Sequence, residues 1–159
     1  DRLPKDCPSI KEGQLLMTTL VQTDGEFKGW TYWVGDKYES ETVGPFYYRR
    51  EESGQMVGAF RAEPRHMNGH GNMHGGCMMS FADFGLFTIA EDALNDGSSG
   101  VTLSMNSEFL SAAIVGDLME VRGEVLRSGR SVIFVRGMVT ANGKPCLNFS
   151  GTIKRVSKR

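Results

Sequence analysis

The chain has 159 residues, with 18 Lys and Arg against 19 Asp and Glu and a formal net charge of −1 at pH 7. That length fits one domain able to bury about two thirds of its unfolded surface, and the near-neutral balance offers no bulk attraction to nucleic acid or to an anionic membrane. The 3 cysteines, Cys7, Cys77 and Cys146, are an odd, scattered set without CxxC spacing, which speaks against a disulfide framework or zinc ribbon and for a reducing, cytoplasmic compartment.

No charge-free apolar run reaches the ~18 residues of a membrane span, and the opening lacks the basic-then-apolar order of an export signal, so no membrane association is expected. From Pro8 to Gln22, the capping-box pattern Ser9-Ile-Lys-Glu12 precedes Leu15, Leu16, Met17, Leu20 and Val21. This predicts a short amphipathic helix whose apolar face makes a core or subunit contact. Asp24 to Pro45 mixes turn residues with Phe27, Trp30, Tyr32, Trp33 and Tyr38. It has no clear period and is expected to pack as an aromatic satellite cluster that can wall a pocket.

Phe46–Arg50 and Gln55–Ala62 read as two strands joined by Glu51-Glu-Ser-Gly54. The stretch from His66 to Asp83 opens polar and glycine-rich and then turns apolar. From Cys77 to Leu94, small or apolar residues occupy every side of a helical projection, which predicts one buried helix from His74 to about Asn95, roughly 30 Å long and wrapped by a sheet. Asp96-Gly-Ser-Ser-Gly100 ends it. The next run alternates, with Val101, Leu103 and Met105 on one face and Thr102, Ser104, Asn106 and Glu108 on the other, as a strand buried on its apolar side would. Strands follow at Leu118–Arg127, Ser131–Thr140 and Cys146–Arg155, linked by Ser128-Gly129-Arg130 and by the hairpin dipeptide Asn142-Gly143. A long helix followed by an antiparallel meander is an α+β arrangement.

The chemistry concentrates where that helix begins. Its first N–H groups have no partner within the helix and carry the positive end of the dipole, and Gly75 and Gly76 strip that end of side chains. A carbonyl oxygen can then approach closely, as an oxyanion site requires. About two turns on comes Asp83, a carboxylate among Met79, Phe84 and Phe87. Burial there demands either a hydrogen-bond partner, for which Ser80 and Thr88 are candidates, or a chemical task. His66, His70 and His74 are spaced as metal ligands on a helix, but Gly69 and Gly71 intervene and only Glu63 is near, so no metal site is expected. Cys77 sits in an apolar Cys-Met-Met run and reads as a small buried hydrophobe, not a nucleophile. Asn68 is by residue type a turn former.

The pattern Asn68-x5-His74-Gly75-Gly76-x6-Asp83, followed by Gly100-Val101-Thr102-Leu-Ser-Met-Asn106 and Gly116-Asp117, resembles the hotdog-fold acyl-CoA thioesterases of the phenylacetate-pathway (PaaI-like) type over about residues 56–155. The resemblance implies a hotdog domain over 56–159, a long helix wrapped by an antiparallel sheet, with residues 1–55 as an extension packed on it. It further implies hydrolysis of an acyl-CoA without metal or cofactor by a homo-oligomer, a dimer or a homotetramer built as a dimer of dimers. Gly76, with Gly75, would polarise the thioester carbonyl, and Asp83 would activate water or attack directly. Asn68 and Thr102 would position the water or the carboxylate, His74 would orient the loop, and Ser80 with Gly75 would contact substrate. In that family the asparagine and glycine side of each site comes from one subunit and the carboxylate from its partner. A hotdog hydratase or dehydratase, and a hotdog that binds acyl-CoA without turnover, are the alternatives.

Overall fold

Runs of β-branched and aromatic residues between turn signals become eight strands in the computed structural model, which describes residues 18–95 and 98–156. They are β1 (Thr18–Val21), β2 (Thr31–Val34), β3 (Tyr47–Arg50), β4 (Met56–Arg61), β5 (Ser99–Phe109), β6 (Leu118–Ser128), β7 (Val132–Ala141) and β8 (Lys144–Val156). All pairings are antiparallel, in the order β1-β2-β3-β4-β6-β7-β8-β5. The hairpin at Asn142-Gly143 has both residues at positive φ, 49° and 82°, as its tight turn requires. Helix α1 (Gly75–Ile89) lies on one face of the sheet, giving the expected α+β hotdog arrangement.

The helix differs from expectation in two ways. It stops at Ile89, and after Ala90 only the short α2 (Glu91–Leu94) follows. Ala90 sits at φ −87°, ψ 8°, and its N–H is shared between the carbonyls of Leu86 and Thr88. The Thr88 hydroxyl donates to the Phe84 carbonyl at 3.0 Å, a back-bond that bends helices. Nor is α1 buried all round, because the sheet covers one side only. Met78, Phe81, Ala82, Gly85 and Leu86 are buried, whereas Gly76 is exposed and Ser80, Asp83 and Phe87 are half-exposed.

The core lies between α1 and the sheet. Phe46, Phe60, Phe81 and Phe84 meet there with ring centroids 4.7 to 5.9 Å apart. Close approach of helix to sheet depends on glycine. A Cβ on Gly85 would lie 2.6 Å from Val121 Cγ2, and one on Gly58 2.7 Å from Val121 Cγ1. A Cβ on Gly137 would run into the ring of Phe149, whose tip also reaches Gly85.

Of the helix expected over Pro8–Gln22, residues 8–17 lie outside the described residues, and Thr18–Val21 is strand β1, paired with β2. Two threonines and a valine favour the extended form once a partner strand is present. The aromatic segment packs as expected: Phe27 stacks on Tyr47 at 4.5 Å and Trp33 lies 4.8 Å from Phe84. Between them, Lys37–Val43 forms one wide helical turn capped by Asp36.

Strand β5 corrects another expectation. Its register shifts between Thr102 and Ser104, so the alternation changes phase there. Gly100, Thr102, Met105 and Ser107 face the helix side, while Leu103 is 59% exposed and Val101 49%. The apolar set that alternation assigned to one buried face is therefore divided. β5 also ends the sheet, pairing only with β8.

Candidate functional site

The loop between the 3₁₀ turn Pro64–His66 and α1 is tied into a closed shape by its own polar groups. The His74 N–H donates to the His66 carbonyl at 2.8 Å, and Met67 pairs with Met73 across the loop. Inside it, the Asn68 Oδ1 accepts from the N–H groups of His70 at 2.8 Å and Asn72 at 3.3 Å. Asn68 is thus the turn residue its type predicts. With the oxygen committed to the loop, its side-chain NH₂ has no hydrogen-bond partner among the described residues.

His74 is the N-cap of α1, and its Nδ1 accepts the Gly76 N–H at 2.9 Å. This changes the expected assignment, because the Gly76 donor is already engaged. The N–H groups of Cys77 and Met78 turn back to the His74 carbonyl. Among the described residues, the Gly75 N–H alone of these four has no hydrogen-bond partner. A Cβ on Gly75 would meet the ring of Phe109 at 3.2 Å. The bare donor at the start of α1 is therefore Gly75, with His74 fixing the turn beside it.

Gly75→Ala is expected to retain the fold, since the obstructing atom is the tip of a ring that is 57% exposed. It should lower kcat roughly tenfold or more by keeping a carbonyl oxygen from the N–H. An unaltered kcat with unchanged melting temperature would place the oxyanion donor elsewhere.

Asp83 lies two turns along α1, half-buried, and its Oδ1 accepts the Thr102 hydroxyl at 2.6 Å. The partners that burial seemed to demand are occupied elsewhere: Ser80 donates to the Gly76 carbonyl at 2.9 Å and Thr88 to Phe84. The structure so brings together Asp83 with Thr102, and His74 with Gly75, Gly76 and Ser80. It does not bring Asp83 to the glycines: at roughly 1.5 Å of rise per residue, Gly75 and Asp83 stand about 12 Å apart along one rigid helix.

Sequence reasoning missed one neighbour of this face. The Tyr38 hydroxyl lies 3.0 Å from Ser80 Oγ. Because Ser80 donates onward to Gly76, Tyr38 is the donor of that pair. Glu39, next in sequence, has its carboxyl pushed up to about 8, first by burial and then by Asp36 and Asp83. The only signal was Tyr38 among the acidic residues Asp36, Glu39 and Glu41, a stretch with no period to read.

The remaining candidates are structural. Cys77 is buried, and burial raises its thiol to about 11, which suits an inert side chain. His66 accepts the Glu63 N–H at Nδ1, 3.0 Å away, and burial with Arg65 beside it holds the imidazole below its usual value. Among the described residues no three His, Cys, Asp or Glu side chains are placed to hold a metal ion. Asp117 accepts the Ile114 N–H and the Asn142 amide, fastening the Gly116 turn to the last hairpin. No helix among the described residues is long and apolar enough to cross a membrane.

With this geometry in hand, residues 70–146 match the thioesterase superfamily. The chain is 29% identical over 111 residues to a Pseudomonas aeruginosa protein carrying an esterase name, covering 70% of this chain and 83% of that one. It is 29% identical over 93 residues to human acyl-coenzyme A thioesterase 13, covering 57% of this chain and 66% of the relative. A Bacillus halodurans protein solved with CoA superposes with a TM-score of 0.65 at 20% identity, over 70% of this chain and 74% of that one. Built around α1 and the strands that follow it, residues 70–146 are similar to the thioesterase superfamily, and the chain has the hotdog fold.

Proposed function

We propose that the protein hydrolyses the thioester bond of an acyl-CoA, giving a free acid and CoA. The observation that carries this reading is the pairing of an unpartnered N–H at the start of α1 with a carboxylate held by Thr102 on the same helix. The relative named as an acyl-coenzyme A thioesterase and the neighbour solved with CoA support the substrate class.

The thioester carbonyl points its oxygen at the Gly75 N–H, with the positive end of α1 behind it, so the negative charge of the tetrahedral intermediate is stabilised as it forms. Asp83 takes a proton from the attacking water, or attacks the carbonyl carbon itself to give an anhydride that water then opens. The intermediate collapses, the C–S bond breaks, and the thiolate of CoA leaves, taking up a proton. Thr102 holds one oxygen of Asp83 and leaves the other for the reaction. The NH₂ of Asn68 orients the water or the carbonyl, His74 keeps the glycine turn in shape, and Ser80 with Gly75 borders the substrate. Neither metal nor cofactor enters the reaction.

Because Gly75 and Asp83 of one helix are too far apart to act on one carbonyl, each site takes its Asp83 from a second copy of the chain. The homo-oligomer, a pair or a pair of pairs, would also cover the free edge at β5 and the exposed Leu103, Phe109 and Leu110. The extension through β3 then belongs to the same folded unit as the hotdog domain. Two buried free thiols, Cys77 and Cys146, suit a reducing, cytoplasmic setting.

A panel of CoA thioesters, from short aliphatic to arylacetyl, assayed for released thiol should show turnover of at least one member. Binding of the same thioesters without any thiol release would overturn hydrolysis in favour of a binding protein. Addition or loss of water across the acyl chain would favour a hydratase.

A further inference from the structure

The open stripe of α1 runs through Gly76, Ser80, Asp83 and Phe87, spaced so that they stack on one helix face. β5 borders it on one side. The Ser107 hydroxyl donates to Met79 Sδ at 2.8 Å, the Thr102 hydroxyl holds Asp83, and a Cβ on Gly100 would lie 3.1 Å from the Phe87 ring. The other border is the turn Lys37–Val43, which lies outside the superfamily match. There the Tyr38 hydroxyl donates to Ser80 Oγ at 3.0 Å, and Trp33, just before the turn, packs 4.8 Å from Phe84, one helical turn beyond Ser80. The stripe is thus the floor of a groove with two walls, and the second wall comes from the extension.

That second wall is built to hold position. Asp36 caps the turn by accepting the Glu39 N–H at 3.0 Å, and the Ser40 hydroxyl donates to the Trp33 carbonyl at 2.8 Å. Arg65 clamps its far end, donating to the carbonyls of Thr42 at 2.8 Å and Gly44 at 2.6 Å. Tyr38 starts from this turn and ends on α1, so its ring spans the space between them and remains 56% exposed. Its proton goes to Ser80 and the Ser80 proton to the Gly76 carbonyl. What the wall offers a ligand is therefore ring carbon, which suits an acyl group better than the phosphates or amides of CoA.

We propose that Tyr38 is a specificity-determining residue: fastened through Ser80 and facing β5 across the stripe, it sets the width beside the thioester carbonyl, admitting acyl groups unbranched at the carbon next to that carbonyl and rejecting branched ones. This role rests on the thioesterase function proposed above. The carbonyl carbon must come within about 3–3.5 Å of an Asp83 oxygen or of the water it activates. Ser80 is the neighbour of Asp83 one turn earlier on the same face, at roughly 5–6 Å between Cβ atoms. Substituents on the adjacent carbon of the acyl group then lie between β5 and the Tyr38 ring. In such a slot one misfitting methyl group changes kcat/KM by about 10- to 200-fold.

The test compares a hydrolysed acyl-CoA with its α-methyl counterpart, butyryl with 2-methylbutyryl or phenylacetyl with 2-phenylpropanoyl. In the native protein kcat/KM should favour the unbranched member by about tenfold or more, and in Tyr38→Ala the ratio should fall to within about threefold. Tyr38→Phe and Ser80→Ala keep the ring but unfasten it. Each should lower the ratio by a similar part, and the double variant should lower it no further. A native preference for the branched member overturns the proposal. So does a Tyr38→Ala variant whose ratio is unmoved or whose activities fall in equal proportion, since a role in folding or assembly alone spares the ratio. A second measurement needs no turnover and uses ketone analogues in which a CH₂ separates the CoA sulfur from the same acyl groups. In protein labelled with ¹³C at tyrosine Cζ, the resonance that vanishes in Tyr38→Phe should move on adding the unbranched ketone and stay in place with CoA alone. A ketone that binds without moving it overturns the role of Tyr38 and leaves hydrolysis standing. If no ketone binds and no thioester is cleaved, hydrolysis falls and the role of Tyr38 falls with it. Should Tyr38→Ala fail to fold, the Phe variant, Ser80→Ala and the tyrosine resonance still decide.

Discussion

Asp83→Asn is expected to lower kcat on any thioester the protein hydrolyses by about a hundredfold or more, the usual contribution of a positioned base or nucleophile. The amide has the shape of the carboxylate, and its oxygen can still accept the Thr102 hydroxyl that now sits 2.6 Å from Oδ1. The helix should therefore stay packed and the melting temperature should stay within a few degrees. What the amide lacks is the capacity to take a proton from water or to attack as an anion. A variant with native kcat would reduce Asp83 to a structural partner of Thr102 and remove the proposed mechanism. The threonine is itself informative here, because its bond leaves one carboxylate oxygen uncommitted, which a purely structural pairing would not need.

Mixing two inactive proteins should restore activity. In the proposed shared site, Asn68→Ala damages the loop side and Asp83→Asn the helix side, and with Gly75 and Asp83 about 12 Å apart along one helix the two sides come from different copies. After reversible dissociation and reassociation of an equimolar mixture, half of the pairs are mixed, and half of their sites are intact. About a quarter of native activity should return. No recovery despite demonstrated exchange of subunits, or a monomer by light scattering at micromolar concentration, would rule out the shared site. The Asn68 variant requires care, since Oδ1 also holds the N–H groups of His70 and Asn72. Asn68→Asp, which keeps that acceptor and loses the NH₂ donor, is the companion variant.

Much of this could be read from the sequence where local rules apply. The Asn142-Gly143 hairpin, the glycine-rich loop with Asn68 as its turn residue, the start of α1 at the two glycines and the neighbourhood of Asp83 and Thr102 all depend on short-range chemistry or on the resemblance. What failed was information held by distant partners. Helical projection assigned α1 to full burial because Ser80 and Gly76 are small, but which side a sheet covers is decided by strands elsewhere in the chain. One register shift between Thr102 and Ser104 was enough to divide the apolar set of β5, and a bulge leaves no mark on alternation. The Gly76 N–H was predicted free by the general rule for helix starts; His74, two residues before it, had already taken it. The contact of Tyr38 with Ser80 was beyond reach for a simpler reason: it joins α1 to a residue 42 positions away, in a segment without a period.

The glycines along the contact between helix and sheet carry a consequence for how the chemistry is tuned. Gly75 and Asp83 are both borne by one stiff rod, so their height above the sheet is fixed jointly by what lies beneath Gly85. That space is filled by Val121 and by the tip of the Phe149 ring, which rests in turn on Gly137 of a neighbouring strand. A change of one methyl group at Gly137 would be felt through the ring as a lift or tilt of the entire rod. In the proposed shared site, both ends would be displaced together from their counterparts on the other copy. In the proposed mechanism, alignment is in this sense set from beneath the helix, in its contact with the sheet.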